Sequence, residues 1–120
     1  MKGKDFVIEF YESDALRDKN VIDKFTHDDL EFHWHSSKGF IKMDKNDLME
    51  LASEMKRSYS SARIQIDQIL QENEFISLRY VYYVSPIENP NEETILAYFN
   101  SIWELKDDKL YRCHQMSQLG

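Results

Sequence analysis

The sequence predicts an α+β fold, in which three N-terminal helices pack in a strongly curved, mostly antiparallel sheet. Two observations predict it. Helix-like segments occupy most of the first 58 residues. Four aromatic-rich, strand-like runs then follow between Ala62 and Leu119, with turn-like breaks at 71–73, 85–93 and 106–109. A sheet folded over helices leaves an apolar pocket at its open end, a common place for small-molecule chemistry.

The composition predicts one globular domain spanning residues 1–120. The hydrophobic fraction is 42% and the aromatic fraction 13%, values typical of a folded core of ordinary size. The formal net charge is -7, and no basic stripe runs between the aromatic residues. Because acidic surfaces repel phosphate backbones, we expect no nucleic-acid partner.

The cysteine count and the hydropathy pattern predict a cytoplasmic protein. Cys113 stands alone, so an internal disulfide and a Cys-x-x-Cys metal pair are both excluded, and a buried, inert thiol is expected. No apolar run approaches 18 residues, and charges occur within the first few positions. We therefore expect neither a membrane span nor a signal peptide.

The N-terminal part predicts three helices. Apolar residues at helical spacing predict the first helix over Asp5 to Arg17. A short second helix surrounds Ile22, with Asp18 or Asn20 as its cap. The spacing Asp44-x-x-Asp47 predicts the start of a third helix. The apolar face of this third helix should pack on the sheet. That face consists of Leu48, Leu51, Ala52, Met55 and Tyr59.

The first strand is predicted from Leu30 to His35, with Leu30, Phe32 and Trp34 on one face and the polar residues, including His33, on the other. In the meander, Ala62, Ile64, Ile66 and Gln68 are predicted to share a face of the next strand. The segments Phe75 to Val84 and Ile95 to Leu105 are apolar on both faces. In the first, one face is predicted to hold Ile76, Leu78, Tyr80, Tyr82 and Val84, and the other Phe75, Val81 and Tyr83. In the second, one face is predicted to hold Ile95, Ala97, Phe99, Trp103 and Leu105, and the other Leu96, Tyr98 and Ile102. Two-sided strands in so small a domain predict a homodimer that forms through the sheet.

The order helix, helix, strand, helix and four antiparallel strands resembles the superfamily of nuclear transport factor 2, ketosteroid isomerase and the SnoaL-like polyketide cyclases. The resemblance covers nearly the whole chain. Its local marks are the helical pair Phe10-Tyr11, the entry Asp28-Asp29-Leu30 to the first strand, and the ending Ile102 to Leu110. It implies a cone-shaped, cystatin-like α+β barrel, a fold that serves enzymes, binding proteins and transport adaptors alike.

The resemblance also implies positions for catalytic groups. In ketosteroid isomerase-like members an Asp after the first strand is the general base, and a helical Tyr with a protonated Asp on the penultimate strand forms the oxyanion hole. These positions correspond here to Trp34 or His35, to Tyr11 (with Phe10 as close), and to Ser101.

The last strand departs from the family pattern. Arg112, His114 and Gln118 stand where many SnoaL-like members carry Glu, Trp and Asp. The usual isomerase carboxylates are therefore missing. Since histidine titrates near neutral pH, His35 is predicted to replace the missing base, with Tyr11, Ser101 or His114 as polar partners. The alternative for His35 is a surface histidine without a catalytic role.

Five further residues are predicted to line a pocket for a flat apolar or aromatic ligand; their alternative role is ordinary core packing. They are Phe10, Trp34, Phe99, Trp103 and Met116. His33 and His35 project to one side of a strand and would chelate a metal only with a third ligand, His114 or Glu31. We expect no metal and no cofactor.

The sequence thus predicts a small-molecule pocket protein and leaves its activity open. One interpretation is a proton-transfer enzyme of isomerase, cyclase or dehydratase type. The alternatives are a non-catalytic ligand-binding module and a protein-interaction module that uses the sheet as a docking face.

Overall fold

A computed structural model of the chain describes residues 2–120, and Met1 lies outside them. Within these residues the protein has three helices and a curled, mixed sheet of six strands, an α+β arrangement. The helices are α1 (Lys2–Glu12), α2 (Lys19–Phe25) and α3 (Lys45–Ser58). The strands are β1 (Thr26–Ser36), β2 (Gly39–Met43), β3 (Tyr59–Glu72), β4 (Phe75–Pro86), β5 (Thr94–Lys106) and β6 (Lys109–Leu119).

The strands lie in the order β2-β1-β6-β5-β4-β3. Neighbours pair antiparallel except β1 and β6, which are parallel, so the predicted mostly antiparallel sheet is confirmed. The prediction missed β2, which pairs with the end of β1 across a turn where Gly39 has φ 111°. Because four of the five β2 residues are exposed at the sheet edge, the segment lacks the apolar alternation that identifies a strand.

The helix starts follow the predicted caps. The Asp18 side chain accepts a hydrogen bond from the backbone nitrogen of Asn20, and Asp44 and Asp47 form a reciprocal capping box at α3. Helix α1 is shorter than predicted, because it ends at Glu12 and Asp14 then adopts a left-handed φ of 64°. The segment from Asp14 to Arg17 is therefore a turn.

The inner face of the sheet is apolar and lies beneath the helices. Five residues of β4 on this face are at most 3% exposed: Ile76, Leu78, Tyr80, Tyr82 and Val84. On β5 the inward positions belong to Ala97, Phe99, Ser101 and Trp103, and all four are buried. This confirms the face predicted for β4 and, on β5, the face predicted from Ala97 to Trp103. Leu96, predicted on the opposite face, is an extra residue in the pairing with β4 and lines the inner cavity.

One predicted face is wrong on β3. The pairing with β4 shifts between Ile66 and Gln68, so Asp67 is an extra residue in the strand. Gln68 therefore lies opposite the exposed Arg79 rather than on the inner face with Ile66. The bulge reverses the alternation for the rest of the strand.

The outer face of the sheet carries exposed apolar side chains. Ile102 is 47% exposed, Met116 65% and Leu70 70%. They line a groove of about 410 Å³ that crosses β3 to β6. The homodimer through the sheet remains a prediction, and this groove is where the second copy would pack.

We expect light scattering at micromolar concentration to report about twice the chain mass of 14.4 kDa. Ile102→Glu should shift the protein to the mass of a single chain, because a buried, unpaired carboxylate opposes association. Ile87→Glu is the matched control, since Ile87 is also about half exposed (51%) but lies in the β4–β5 loop. A monomeric natural protein, or equal effects of the two substitutions, would contradict the dimer.

Candidate functional site

A cavity of about 100 Å³ lies between the helices and the inner face of the sheet. No acidic, basic or histidine side chain of the described chain is among its lining residues. Those residues are Phe10, Tyr11, Leu16, Ile22, Phe32, Trp34, Leu48, Leu51, Ala52, Met55, Tyr80, Tyr82, Leu96, Phe99, Trp103 and Gln115. Its walls are thus almost entirely apolar or aromatic, as in most small-molecule sites.

Aromatic rings in contact with one another form one wall. Tyr80 stacks on Phe99 with ring centroids 5.0 Å apart, and Phe99 lies 6.3 Å from Trp34. Tyr11 lies 4.8 Å from Tyr80 and joins this row from α1. These rings present broad faces, and we infer that a flat ligand would pack against them better than a branched one.

Two sets of buried hydrogen bonds accompany the rings. The Trp103 Nε1–H group donates to the Tyr11 hydroxyl at 2.8 Å, which connects β5 to α1. The Ser101 hydroxyl donates to Gln115 Oε1 at 2.8 Å, and the Tyr80 hydroxyl donates to the same oxygen at 3.3 Å. The Gln115 carbonyl oxygen is therefore fully used within the protein.

The amide nitrogen of Gln115 is different. Gln115 is 4% exposed and lines the cavity, yet within residues 2–120 its Nε2 donates to no protein atom. Two hydroxyl groups hold the amide in place through its oxygen. The amide N–H groups are consequently available as hydrogen-bond donors to a molecule in the cavity.

The tyrosines around the cavity remain protonated. Burial raises the pKa of Tyr11 well above its ordinary value of 10.0, and the nearby Cys113 adds to the increase. Burial likewise raises the pKa of the Tyr80 hydroxyl and of the Cys113 thiol. Tyr11 and Tyr80 can therefore donate hydrogen bonds but cannot serve as bases near neutral pH.

Several predicted site residues lie at the cavity. Phe10, Trp34, Phe99 and Trp103 line it, and so does Tyr11. Ser101 points inward and is 1% exposed, but it lies behind Gln115 and does not line the cavity. The catalytic roles of Tyr11 and Ser101 remain predictions.

The predicted pocket positions of His35, His114 and Met116 are wrong. All three lie on the outer face of the sheet, where Met116 is 65% exposed and the His35 ring packs 4.5 Å from Phe40. On β1 the cause is the alternation itself: Trp34 points inward, so its neighbour His35 must point outward.

On β6 the cause is a bulge at Tyr111. Leu105 pairs with Leu110 and Glu104 with Arg112, so Tyr111 has no opposite residue. Regular alternation from the buried Leu110 would have turned His114 inward, but the extra residue reverses the faces. Cys113 is buried as predicted, and Gln115 follows on the same inner face.

The histidines of the outer face do not form a chelating set. The His33 ring stacks on His114 with centroids 4.7 Å apart and planes 23° apart. Because nitrogen lone pairs lie in the ring plane, stacked imidazoles do not direct them to one point. His33 instead lies 3.3 Å from a Glu31 carboxylate oxygen. Among residues 2–120 no group of three His, Cys, Asp or Glu side chains is placed to hold a metal ion.

The sequence reasoning missed Gln115, Tyr80 and Tyr82 as site residues. The two tyrosines were identified only as members of an apolar face. Gln115 has a sequence signal, because it stands two positions from Cys113, whose burial was expected. Residues two apart on a strand share a face, so the burial expected for Cys113 predicts an inward Gln115 as well.

No protein-family model matches the sequence, and no curated protein matches it. Solved structures do. IdmH from Streptomyces antibioticus, a proposed polyketide cyclase, has a TM-score of 0.77 and 11% identity, with 98% of this chain and 92% of that chain covered. AclR from Streptomyces galilaeus, a proposed hydroxylase, has a TM-score of 0.79 and 12% identity, with 98% of this chain and 79% of that chain covered.

A nuclear transport factor 2-like protein of unknown function from Burkholderia pseudomallei has a TM-score of 0.70 and 13% identity, with 100% of this chain and 92% of that chain covered. At such identities the likeness shows the fold alone. The protein thus has the SnoaL-like, nuclear transport factor 2-like fold, which confirms the resemblance seen in the sequence.

The helices described within residues 2–120 have 11, 7 and 14 residues. None of them combines the length and the apolar character that a transmembrane helix requires.

Tyr11→Phe should destabilise the protein by about 1 to 3 kcal/mol, because it leaves the Trp103 indole N–H buried without an acceptor. Tyr98→Phe is the matched control: Tyr98 is 40% exposed on the outer face, and its change should stay within about 0.5 kcal/mol. Urea unfolding measures both. Equal effects would show that the hydrogen bond to Tyr11 does not stabilise the fold.

The raised pKa values of Tyr11, Tyr80 and Tyr82 predict loss of stability in alkali. Above the ordinary tyrosine pKa of 10.0 the unfolded chain releases protons that the folded protein retains. Stability from these groups is therefore constant below about pH 9 and falls as the pH rises through 10 and beyond. Urea midpoints between pH 7 and 11 should decline less steeply in Tyr11→Phe than in the natural protein. An unchanged slope would refute this assignment.

Proposed function

We propose that the protein binds a small, flat, uncharged organic molecule in the inner cavity. The observation that supports this is a cavity with aromatic walls and one unpartnered amide donor, Gln115. The apolar body of the ligand would pack on the rings of Tyr80 and Phe99, while an oxygen of the ligand would accept a hydrogen bond from Gln115 Nε2. A charged ligand would find no opposite charge among the lining residues.

The volume limits the ligand to about one ring. An engineered cavity of about 150 Å³ holds a benzene molecule, whereas sites for drug-sized ligands measure about 300 to 1,000 Å³. The cavity here measures about 100 Å³. A single six-membered ring with small substituents therefore suits it after slight expansion, and a fused four-ring skeleton does not.

A second candidate is proton-transfer catalysis of the cyclase type. It is favoured by the likeness of the fold to proposed polyketide cyclases and by neutral donors at the cavity, Tyr11 and Gln115, of the kind that stabilise an oxyanion. Such a reaction also needs a base. His35 lies outside the cavity, so the mechanism that the sequence suggested, with His35 as base, loses its support.

Phenol should bind the natural protein, and Ala52→Leu should weaken binding at least about tenfold, because the new side chain occupies the cavity that Ala52 lines. Isothermal titration calorimetry measures the affinities. Glu54→Leu is the control, since it places the same residue on an exposed position of α3. Equal affinities of Ala52→Leu and the natural protein would place the binding site elsewhere.

We expect negligible isomerisation of a Δ5-3-ketosteroid, because the cavity of about 100 Å³ does not admit four fused rings and no lining residue is a base at neutral pH. A spectrophotometric assay of the conjugated product measures it. In any other proton-transfer assay that responds, His35→Ala should retain full activity. Rapid steroid turnover, or loss of another activity in His35→Ala, would contradict this assignment.

A further inference from the structure

The hydroxyl group of Tyr82 is buried without a hydrogen-bond partner. Tyr82 is 3% exposed, and within residues 2–120 its oxygen forms no hydrogen bond. Buried hydroxyls are nearly always paired, because an unpaired one loses its bonds to water and gains nothing in return. Tyr82 is a lining residue of the cavity, so its unpaired hydroxyl suggests that the missing partner is a molecule that binds there and reaches this oxygen as the cavity expands.

Tyr82 lies where the cavity meets a second space. A cleft of about 270 Å³ opens between the turn after α1 and strand β3. Tyr82, Tyr11 and Leu16 line both the cavity and this cleft. A ligand that fills the cavity and reaches its boundary with the cleft would pass along the Tyr82 side chain.

Gln115 and Tyr82 are far enough apart to form separate hydrogen bonds with one ligand. Tyr80 donates to Gln115, and Tyr82 follows two residues later on the same inner face of β4. Two residues of an extended strand span about 7 Å. The Gln115 amide and the Tyr82 hydroxyl therefore address two different atoms of a ligand, one toward each end.

The charges near Tyr82 oppose an anionic ligand. Burial, and after it the Asp14 carboxylate, raises the pKa of Tyr82, so the hydroxyl stays protonated. Glu12 and Asp14 line the cleft and repel anions, and Arg63, which also lines it, is paired with Glu93 at 2.8 Å. The Arg17 guanidinium lies 3.2 Å from Asp14 through Nη2 and donates to the backbone oxygen of Tyr59 through Nη1, while its buried Nε has no partner within residues 2–120.

We infer that the ligand is an uncharged six-membered ring with oxygens at its two opposite ends, of the para-hydroquinone or para-quinone class, and that Tyr82 hydrogen-bonds the second oxygen. The inference rests on the proposed function, because it places the first oxygen at Gln115. Tyr82 is then the residue that distinguishes a para-oxygenated ring from one with a single oxygen.

Hydroquinone and 4-methylphenol are the probes, since they have nearly the same shape and differ by a hydroxyl in place of a methyl group. Their affinities for the natural protein, Tyr82→Phe and Tyr98→Phe are measured by anaerobic calorimetry. We expect the preference for hydroquinone to fall about fivefold in Tyr82→Phe, the effect of one neutral hydrogen bond. The affinity for 4-methylphenol should remain unchanged. Tyr98→Phe, on the outer face, should behave as the natural protein.

Urea unfolding of the free proteins provides the second measurement. Tyr82→Phe should be at least as stable as the natural protein, because it removes a hydroxyl that has no partner. A lower unfolding midpoint would show that the hydroxyl has a structural partner and would overturn the inference.

The binding outcomes separate the two proposals. If 4-methylphenol binds and the preference for hydroquinone is the same in Tyr82→Phe, the cavity binds aromatic ligands but Tyr82 does not select them, and this inference is wrong. If neither probe binds any of the proteins, the proposed function fails, and the inference fails with it.

Discussion

The burial of Trp103 between the first helix and the sheet is the contact on which the cavity depends. Trp103 is 1% exposed, and its ring lies 5.8 Å from Phe10 and 5.7 Å from Phe32. Its indole N–H donates to Tyr11, so one side chain satisfies both the packing and the polar requirement of a buried tryptophan. This contact fixes α1 against β5, and the cavity remains between the helices and the inner face of the sheet.

Alternation along the strands separates charge from the neutral interior. On the outer face Arg112 lies 3.2 Å from Glu104 and 3.4 Å from Glu31, and His33 stacks on His114. The inner polar groups are hydroxyls, an indole and an amide, which pair with one another or point to the cavity. Placing an ion in such an interior costs several kcal/mol unless it finds a partner there. The sheet therefore makes the cavity selective for neutral molecules before any specific contact is considered.

Local sequence patterns predict the fold well where helix capping or strand alternation is regular within one segment. The caps at Asp18 and Asp44 and the inward face of β4 are properties of short segments, and each was found as expected. Strand β2 was not predicted, because an exposed edge strand needs no apolar alternation. The site was harder to predict, because the bulges at Asp67 and Tyr111 each shift the faces by one residue. A bulge depends on pairing with another strand, which a single segment does not reveal.

The most direct test of the account is to determine which residues an aromatic probe contacts when it binds. Nuclear Overhauser effects between the ring protons of bound phenol and assigned methyl groups measure this. We predict contacts with methyl groups that line the cavity, those of Leu51 and Leu96, and none with the outer-face Leu70 and Met116. Contacts confined to Leu70 and Met116 would show that the outer groove is the binding site and would contradict the account.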